Sequence, residues 1–128
     1  MIISHIDHLV ITVYNVAEII AFYTRVLGME AMSFAGGRQA LMFGAQKINL
    51  HKVGEEIRPH AQNTVPGSAD LCFITVTPMQ QVISHLASCN VTILEGPVNR
   101  SGATEPLLSV YINDPDDNLI EISNLVNE

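Results

Sequence analysis

The sequence is poor in basic residues, aromatic residues and cysteine. Six Lys and Arg stand against thirteen Asp and Glu, for a formal net charge of −7. No basic stripe is present to neutralise phosphates, so nucleic acid is not an expected partner. The two cysteines, Cys72 and Cys89, form no CxxC motif. We interpret both as buried small hydrophobic side chains in a reducing, cytoplasmic setting.

Long apolar runs are also absent. No run approaches the roughly 18 residues that a membrane span needs, and the N-terminal residues MIISHIDH lack the basic start and apolar stretch of a secretory signal. The chain has 128 residues, 48% of them hydrophobic. That is enough for one domain with a substantial core and too few for two ordinary domains. We therefore expect a single cytoplasmic domain without a membrane partner.

The sequence does contain an internal repeat. A first helix is predicted to begin after Asn15, which forms a capping box with Glu18, and to end at Gly28. A second helix, with a proline in its first helical position, repeats this pattern. The residues equivalent to Asn15, Glu18 and Gly28 lie 62 positions later. They are Thr77 as the cap, Gln80 as its capping-box partner and Asn90 at the end of the helix.

Strand-like segments surround both helices and extend the repeat. The sequence INL at 48–50 matches IEI at 120–122 with an offset of 72, so the second module is about ten residues longer. The extra residues are assigned to a loop at 96–106 and a turn at 114–118. We predict an α+β fold with two tandem βαβββ modules, 1–58 and 69–126, joined by a linker and forming an open, cup-shaped mixed sheet. The predicted strands are 5–14, 30–35, 38–43, 47–53, 71–76, 91–94, 107–113 and 118–123.

Polar side chains recur on one face of these strands. Because strand residues alternate sides, the apolar residues are expected to face the helices and the polar ones the cup. His8 and Asp70 occupy equivalent positions, and so do Asn49 and Glu121. Two modules side by side would bring His8, Asp70 and Glu121 together with either Asn49 or His51. Imidazole and carboxylate ligands suit a divalent ion such as Fe, Mn, Ni, Co or Zn.

These motifs resemble a known family. The segments DHLVITV and FYTRVLGME, with the closing NDPDDNLIEI, look like the vicinal oxygen chelate superfamily of glyoxalases, bleomycin-resistance proteins and extradiol dioxygenases. The segments KINLH, SADLCFIT and GPVNRSGA look closest to the group called glyoxalase domain-containing protein, member five. That group includes bacterial proteins described as lactoylglutathione-lyase-like or virulence-associated.

The resemblance implies a metal site on the first and last strands of each module. His8 and Glu121 match the family's ligands, whereas Asp70 falls where a second His is usual. Asn49 falls where glyoxalase I has a Glu that serves as ligand and base, so isomerisation here would need Glu121 or Asp70 as the base. Extradiol cleavage would need His51 to complete a two-His, one-carboxylate face. Asp117 replaces the usual turn glycine, which Asp tolerates.

The expected function is that of a metal-dependent small-molecule enzyme, with lyase, isomerase or dioxygenase chemistry left open. Arg100 is a candidate for an anionic substrate group, and Ser109 and Tyr111 are candidates for lining the cup. The alternative is a metal-free binding protein of the antibiotic-resistance type. The retention of His8 and Glu121 and the low aromatic content speak against it. A scaffold with a vestigial cup is weaker still. We also expect a homodimer, as is common in the family.

Overall fold

A computed structural model describes residues 1–126. The chain forms two compact units, Met1–Gly67 and Ser68–Glu128. Each unit has the order strand, helix and three strands, so the α+β class and the tandem βαβββ modules are confirmed. Within the described residues, no helix is long and apolar enough to cross a membrane.

The first unit is a four-stranded open sheet with one helix, α1. The order in the sheet is β1-β4-β3-β2, with β1 and β4 parallel and the other pairs antiparallel. Buried apolar side chains from the helix and three strands form its core: Ile11, Val13, Ile19, Tyr23, Leu41, Ile48 and Leu50. The elements are β1 (His8–Val13), α1 (Val16–Arg25), β2 (Glu30–Phe34), a 3₁₀ turn (Ala35–Gly37), β3 (Arg38–Phe43) and β4 (Gln46–Lys52).

The second unit has the same topology. Its sheet order is β5-β8-β7-β6, again with one parallel pair, β5 and β8. Its core includes Val82 and Leu86 from the helix and Val110, Ile112 and Ile120 from the strands. The elements are β5 (Asp70–Ile74), α2 (Met79–Ser88), β6 (Glu95–Ser101), β7 (Pro106–Asn113) and β8 (Leu119–Leu125).

The strand register confirms the predicted repeat. Val10 pairs with Asn49 in the first unit, and Cys72 pairs with Glu121 in the second. Cys72 lies 62 positions after Val10, and Glu121 lies 72 positions after Asn49, which are the two predicted offsets. Most of the extra length lies in the hairpin between β6 and β7, since its partners Glu95 and Tyr111 are sixteen positions apart. The equivalent partners in β2 and β3, Met32 and Ala40, are eight apart.

The first helix cap is as predicted, and the second is not. The Asn15 side chain accepts a hydrogen bond from the Glu18 N–H at 2.9 Å. In α2 the N-cap is Pro78, without a side-chain cap, so the prediction that Thr77 caps this helix was wrong. The Thr77 N–H instead donates to the Thr75 side chain at 3.1 Å, which starts a turn before the helix begins. Pro78 is the N-cap of α2 and not its first helical residue, so the prediction of a proline in the first helical position was also wrong.

The predicted helix ends and the turn at Asp117 agree with the structure. Gly28 and Asn90 both have a positive φ, at 69° and 58°, and each follows its helix. The N–H of Val91 donates to the Leu86 carbonyl at 2.9 Å, which closes the end of α2. Asp117 has a φ of 64° and therefore adopts the left-handed turn expected for the usual glycine.

The strand predicted at 91–94 was wrong. The strand is β6, Glu95–Ser101, and it lies in a segment that was assigned to a loop. Gly96 and Pro97 gave that segment the composition of a loop, but they sit at a register shift between Glu95 and Val98. Bulges commonly accommodate such residues inside a strand. The extra chain length is therefore mostly paired hairpin.

Candidate functional site

One face of each sheet carries the predicted site residues, and we call it the polar face. In the first unit it comprises alternate residues of the four strands, because residues that pair across strands share a face. The opposite face holds the buried Ile11, Val13, Ile48 and Leu50. On the polar face, the register groups His8, Val10, Thr12, Glu30, Met32, Phe34, Arg38, Ala40, Met42, Lys47, Asn49 and His51.

His8 is exposed at the start of β1 and is oriented by its neighbour. Its Nδ1 lies 2.8 Å from Oδ2 of Asp7. This bond with His8 is the main cause of the lowered pKa of Asp7. A carboxylate bound to one ring nitrogen is the common support for a metal-binding histidine, because it fixes the tautomer and directs the other nitrogen outward. His8 therefore offers Nε2 as a ligand atom.

Asn49 and His51 are buried on β4 with unsatisfied polar atoms. Their residues are 5% and 6% exposed. Within residues 1–126, Oδ1 of Asn49 and both ring nitrogens of His51 have no hydrogen-bond partner. Burial lowers the pKa of His51, and the charge of Arg38 lowers it further. A neutral imidazole and an amide oxygen thus face a position where each lacks a partner, which is costly unless a ligand supplies one.

His8 and His51 lie at different places on the polar face. His8 pairs with Lys47 in β4, whereas His51 pairs with Thr12 in β1. The two histidines are therefore four residues apart along the sheet, which is roughly 13 Å at the rise of a strand. Asn49 is nearer to His8, beside Val10. His8 and Asn49 in the first unit thus correspond to Asp70 and Glu121 in the second.

On the polar face of the second unit, hydroxyl groups surround Glu121. Ser109 Oγ donates to Glu121 Oε2 at 2.6 Å, and Ser123 Oγ donates to the same oxygen at 3.3 Å. Both serines are completely buried. Asp70, in contrast, is exposed at the start of β5. Both hydroxyl bonds use Oε2, so the carboxylate is held in one orientation with Oε1 directed elsewhere.

Cys72 is exposed, so the prediction that it is buried was wrong. It alternates onto the polar face opposite Glu121, and its Sγ lies 3.4 Å from Ser123 Oγ. Desolvation raises the pKa of the Cys72 thiol, and the charge of Glu121 adds to the increase. Cys89, at the end of α2, is half-buried. The apolar neighbours of Cys72 in sequence lie on the opposite face of the strand.

Arg100 lies in β6 and is tied to its own unit. Its Nε donates to the Tyr111 hydroxyl at 3.0 Å, and a terminal nitrogen donates to Glu95 Oε2 at 3.1 Å. The bond to Tyr111 is the main cause of the raised pKa of Arg100. Because Glu95 offsets its charge, Arg100 has less capacity for a substrate anion than a free guanidinium has.

The candidate residues fall into two sets. His8, Asn49 and His51 belong to the first unit, and Asp70, Arg100, Ser109, Tyr111 and Glu121 belong to the second. Among residues 1–126, no three His, Cys, Asp or Glu side chains are grouped to hold a metal ion. The shared metal site of His8, Asp70, Glu121 and His51 remains a prediction.

Sequence reasoning missed three residues of the first polar face. Phe34 lies beneath two cations, with the guanidinium carbon of Arg38 at 4.9 Å and Nζ of Lys47 at 4.1 Å from its ring centroid. The strand alternation in 30–35, 38–43 and 47–53 would have placed all three on one face with Asn49. The scarcity of Lys and Arg could have drawn attention to this pair.

The profile of the Glyoxalase/Bleomycin resistance protein/Dioxygenase superfamily matches residues 5–122. The chain belongs to this superfamily. The match spans both units and includes both equivalent pairs, His8 with Asp70 and Asn49 with Glu121. The family expected from the motifs is confirmed.

A bacterial relative matches over nearly the whole chain. Virulence protein STM3117 of Salmonella typhimurium is 55% identical over 126 residues, which cover 98% of this chain and 88% of that protein. Its crystal structure superposes with a TM-score of 0.97 and covers 98% of this chain and 100% of the other. This similarity agrees with the group suggested by the sequence motifs.

Two more distant structures share the fold. Lactoylglutathione lyase from Agrobacterium tumefaciens has 20% identity and a TM-score of 0.74, over 94% of this chain and 93% of that one. TnmS3, an antibiotic-binding protein from Streptomyces sp. CB03234, has 19% identity and a TM-score of 0.77, over 98% and 99%. The fold therefore accommodates both an enzyme and a binding protein.

Proposed function

We propose that this protein is a divalent-metal-dependent enzyme acting on a small molecule that presents two neighbouring oxygens. The main support is that each unit has two site residues in the same arrangement on its two parallel strands, offset by two register positions, and we call these the diagonal pairs. They are His8 with Asn49 in the first unit and Asp70 with Glu121 in the second. Superfamily membership supports a small-molecule ligand. In this proposal His8 and Glu121 are the principal ligands and Asp70 is the third.

The residues present fit a divalent ion. His8 is held through Nδ1 by Asp7, and Glu121 is held through Oε2 by two buried serines. Such outer hydrogen bonds orient ligands and increase their affinity. When bound, the metal would act as a Lewis acid that stabilises negative charge developing on substrate oxygens. The ion itself is one of Fe, Mn, Ni, Co or Zn.

The protein's own groups would do the remaining chemistry. Asn49 carries no ionisable group, so it cannot remove a proton from the substrate. A proton transfer would fall to the carboxylate of Glu121 or Asp70, both of which lie on the second polar face. Isomerisation of the lactoylglutathione lyase type needs such a base, whereas dioxygenase chemistry places less demand on it.

The metal proposal is tested by loading the purified protein with each of the five ions in turn. We expect one ion per chain from at least one metal, measured by calorimetry and elemental analysis, and loss of binding in His8→Ala. His5→Ala is a matched control, because His5 is also exposed and its Nδ1 lies 2.6 Å from Ser4 Oγ. The absence of stoichiometric binding, or equal loss in both variants, would refute the proposal.

The second candidate is a metal-free binding protein. The uncharged, buried Asn49 at the position equivalent to Glu121 favours it, because it leaves three strong ligands at the four equivalent positions. A binding protein would retain ligand affinity after chelation, and His8→Ala would not change that affinity. The expected homodimer remains a prediction, to be measured by sedimentation.

A further inference from the structure

Two cations on the first polar face lie close together. Arg38 and Lys47 both stand over the Phe34 ring, at 4.9 Å and 4.1 Å from its centroid. Since both distances run to one point, the two positive groups are within about 9 Å of each other. Ala40 is fully buried on β3 and lies between Arg38 and Met42, the residue that pairs with Lys47. The ring keeps both cations on this face.

Within the described part of the chain, neither cation has an acidic partner. Lys52 pairs with Glu55 and Arg100 pairs with Glu95, whereas no carboxylate oxygen of residues 1–126 comes within 4.0 Å of Arg38 or Lys47. The chain has thirteen acidic residues for six basic ones, so two adjacent cations with no ion pair of this kind are unexpected, although the Asp7 carboxylate lies near enough to feel the charge of Lys47. A bound anion would offset their mutual repulsion.

The buried, unsatisfied atoms of Asn49 and His51 adjoin these cations. Asn49 pairs with Ala40 across β3 and β4, and one further step of two residues along both strands brings Arg38 opposite His51. Lys47 lies two residues before Asn49, on the same face. Successive side chains on one face of a strand are about 7 Å apart. A small ligand could therefore contact a cation and a buried polar atom together.

We infer that Arg38, Lys47, Asn49 and His51 form a subsite for a small organic anion with a neighbouring hydroxyl group, and we call it the anion subsite. Arg38 and Lys47 would bind the anionic oxygens. A neutral His51 has one ring nitrogen that donates and one that accepts, and Asn49 Oδ1 accepts. A hydroxyl suits these atoms because it can accept from the N–H of His51 and donate to an acceptor. A 2-hydroxy acid, or its phosphate counterpart, has this chemistry. That this anion is part of the substrate rests on the proposed function.

The subsite is tested on the full chain, with metal removed by chelation, by two-dimensional ¹H–¹⁵N spectra. Glycolate, acetate and inorganic phosphate are titrated at low ionic strength, about 10 mM, because salt screens the cations. We expect saturable shifts for amides of 38–42 and 47–51, with glycolate binding several-fold more tightly than acetate. Tighter binding of phosphate than of glycolate would assign the anion as a phosphate instead of a carboxylate.

Variants on one strand separate a specific site from general attraction. Lys47→Gln should weaken glycolate binding about tenfold, since it removes one of two charged hydrogen-bond donors. Lys52→Gln removes the same charge from the same strand, but Lys52 lies on the opposite face beside Glu55 at 3.5 Å. That control should change affinity less than twofold. Equal weakening in both variants, or no saturable shift with any anion, would overturn the inference.

The hydroxyl contact has its own test. His51→Phe should abolish the preference for glycolate over acetate while leaving acetate binding unchanged. If His51→Phe does not fold, as judged by amide dispersion, His51→Gln serves instead and should retain part of the preference. A preference unchanged in a folded variant overturns the role of His51. Failure of the metal proposal is separately visible, because the glycolate titrations use protein from which metal has been removed.

Discussion

Ser109 hydrogen-bonds to Glu121 from the adjacent strand, with its Oγ 2.6 Å from Oε2. Its side chain is completely buried and also lies 2.6 Å from Ser123 Oγ. In the register, Ser109 pairs with Ser123, two residues from Glu121 on the same face. The carboxylate is thus fixed by a neighbour that itself has little freedom. Such support is how proteins hold a ligand or a base in one orientation.

We predict that Ser109→Ala weakens metal binding about tenfold while leaving the fold intact. The substitution removes the hydroxyl that holds Oε2 and costs about 1 kcal/mol of unfolding free energy. Calorimetric metal titration and chemical denaturation measure the two effects. Ser101→Ala is the control, because Ser101 is exposed in β6. Unchanged metal affinity in Ser109→Ala would show that the hydroxyl bond does not support a ligand.

Cys72 should report the charge of Glu121. Because partial desolvation by neighbouring groups and the charge of Glu121 raise the pKa of this thiol above its ordinary value of 9.0, less thiolate is present at neutral pH and alkylation is slow. We expect its iodoacetamide rate to rise with a midpoint above pH 9.0, followed by mass spectrometry. Glu121→Gln should lower that midpoint. A midpoint below the ordinary value, or one unmoved by Glu121→Gln, would contradict the assignment.

Much of the fold follows from the repeat in the sequence. The offsets of 62 and 72 predicted that His8 and Asp70 are equivalent, and Asn49 and Glu121 likewise. They did so because the strand register follows the alternation of buried and polar residues. The β6 strand could not be recognised, since Gly96 and Pro97 have the composition of a loop and their pairing depends on partners far along the chain.

The candidate site was only partly predictable. Its residue types were visible in the sequence, but the hydrogen bonds of Glu121 depend on the pairing of Ser109 with Ser123. Likewise, the positions of Arg38 and Lys47 over Phe34 depend on long side chains crossing three strands. Side-chain reach is decided by packing, which a pattern of alternation does not encode.

Gly96 is required by close backbone approach, and Gly96→Ala should destabilise the protein. Its φ is 108°, and an added Cβ would collide with the Ser109 carbonyl oxygen. We expect a loss of at least about 2 kcal/mol in unfolding free energy, because both strain and the clash involve backbone. Gly36→Ala is the matched control, since its φ is 75° but no atom lies within 4 Å. It should cost only about 1 kcal/mol.

The close approach at Gly96 also bears on the site, because Ser109 is the residue that an added methyl group would displace. Gly96→Ala should therefore weaken metal binding in the same direction as Ser109→Ala, whereas Gly36→Ala should not. Denaturation curves together with metal titrations check this. If Gly96→Ala is as stable as Gly36→Ala, the β6–β7 hairpin tolerates a shift at this position and the close approach is not a constraint.

Asn49→Glu tests both proposals at once, because it places a carboxylate at the first-unit equivalent of Glu121. If the two diagonal pairs share one ion, the added negative ligand should tighten metal binding at least about tenfold. The same carboxylate would lie beside Arg38 and Lys47 and compete for the anion subsite, so glycolate binding should weaken about tenfold. Asn49→Gln, which adds the same length without charge, should not tighten metal binding and should weaken glycolate binding less than Asn49→Glu does. Tighter metal binding without loss of glycolate would separate the subsite from the metal site. Loss of glycolate without tighter metal binding would instead leave the anion subsite in place and remove the shared ion.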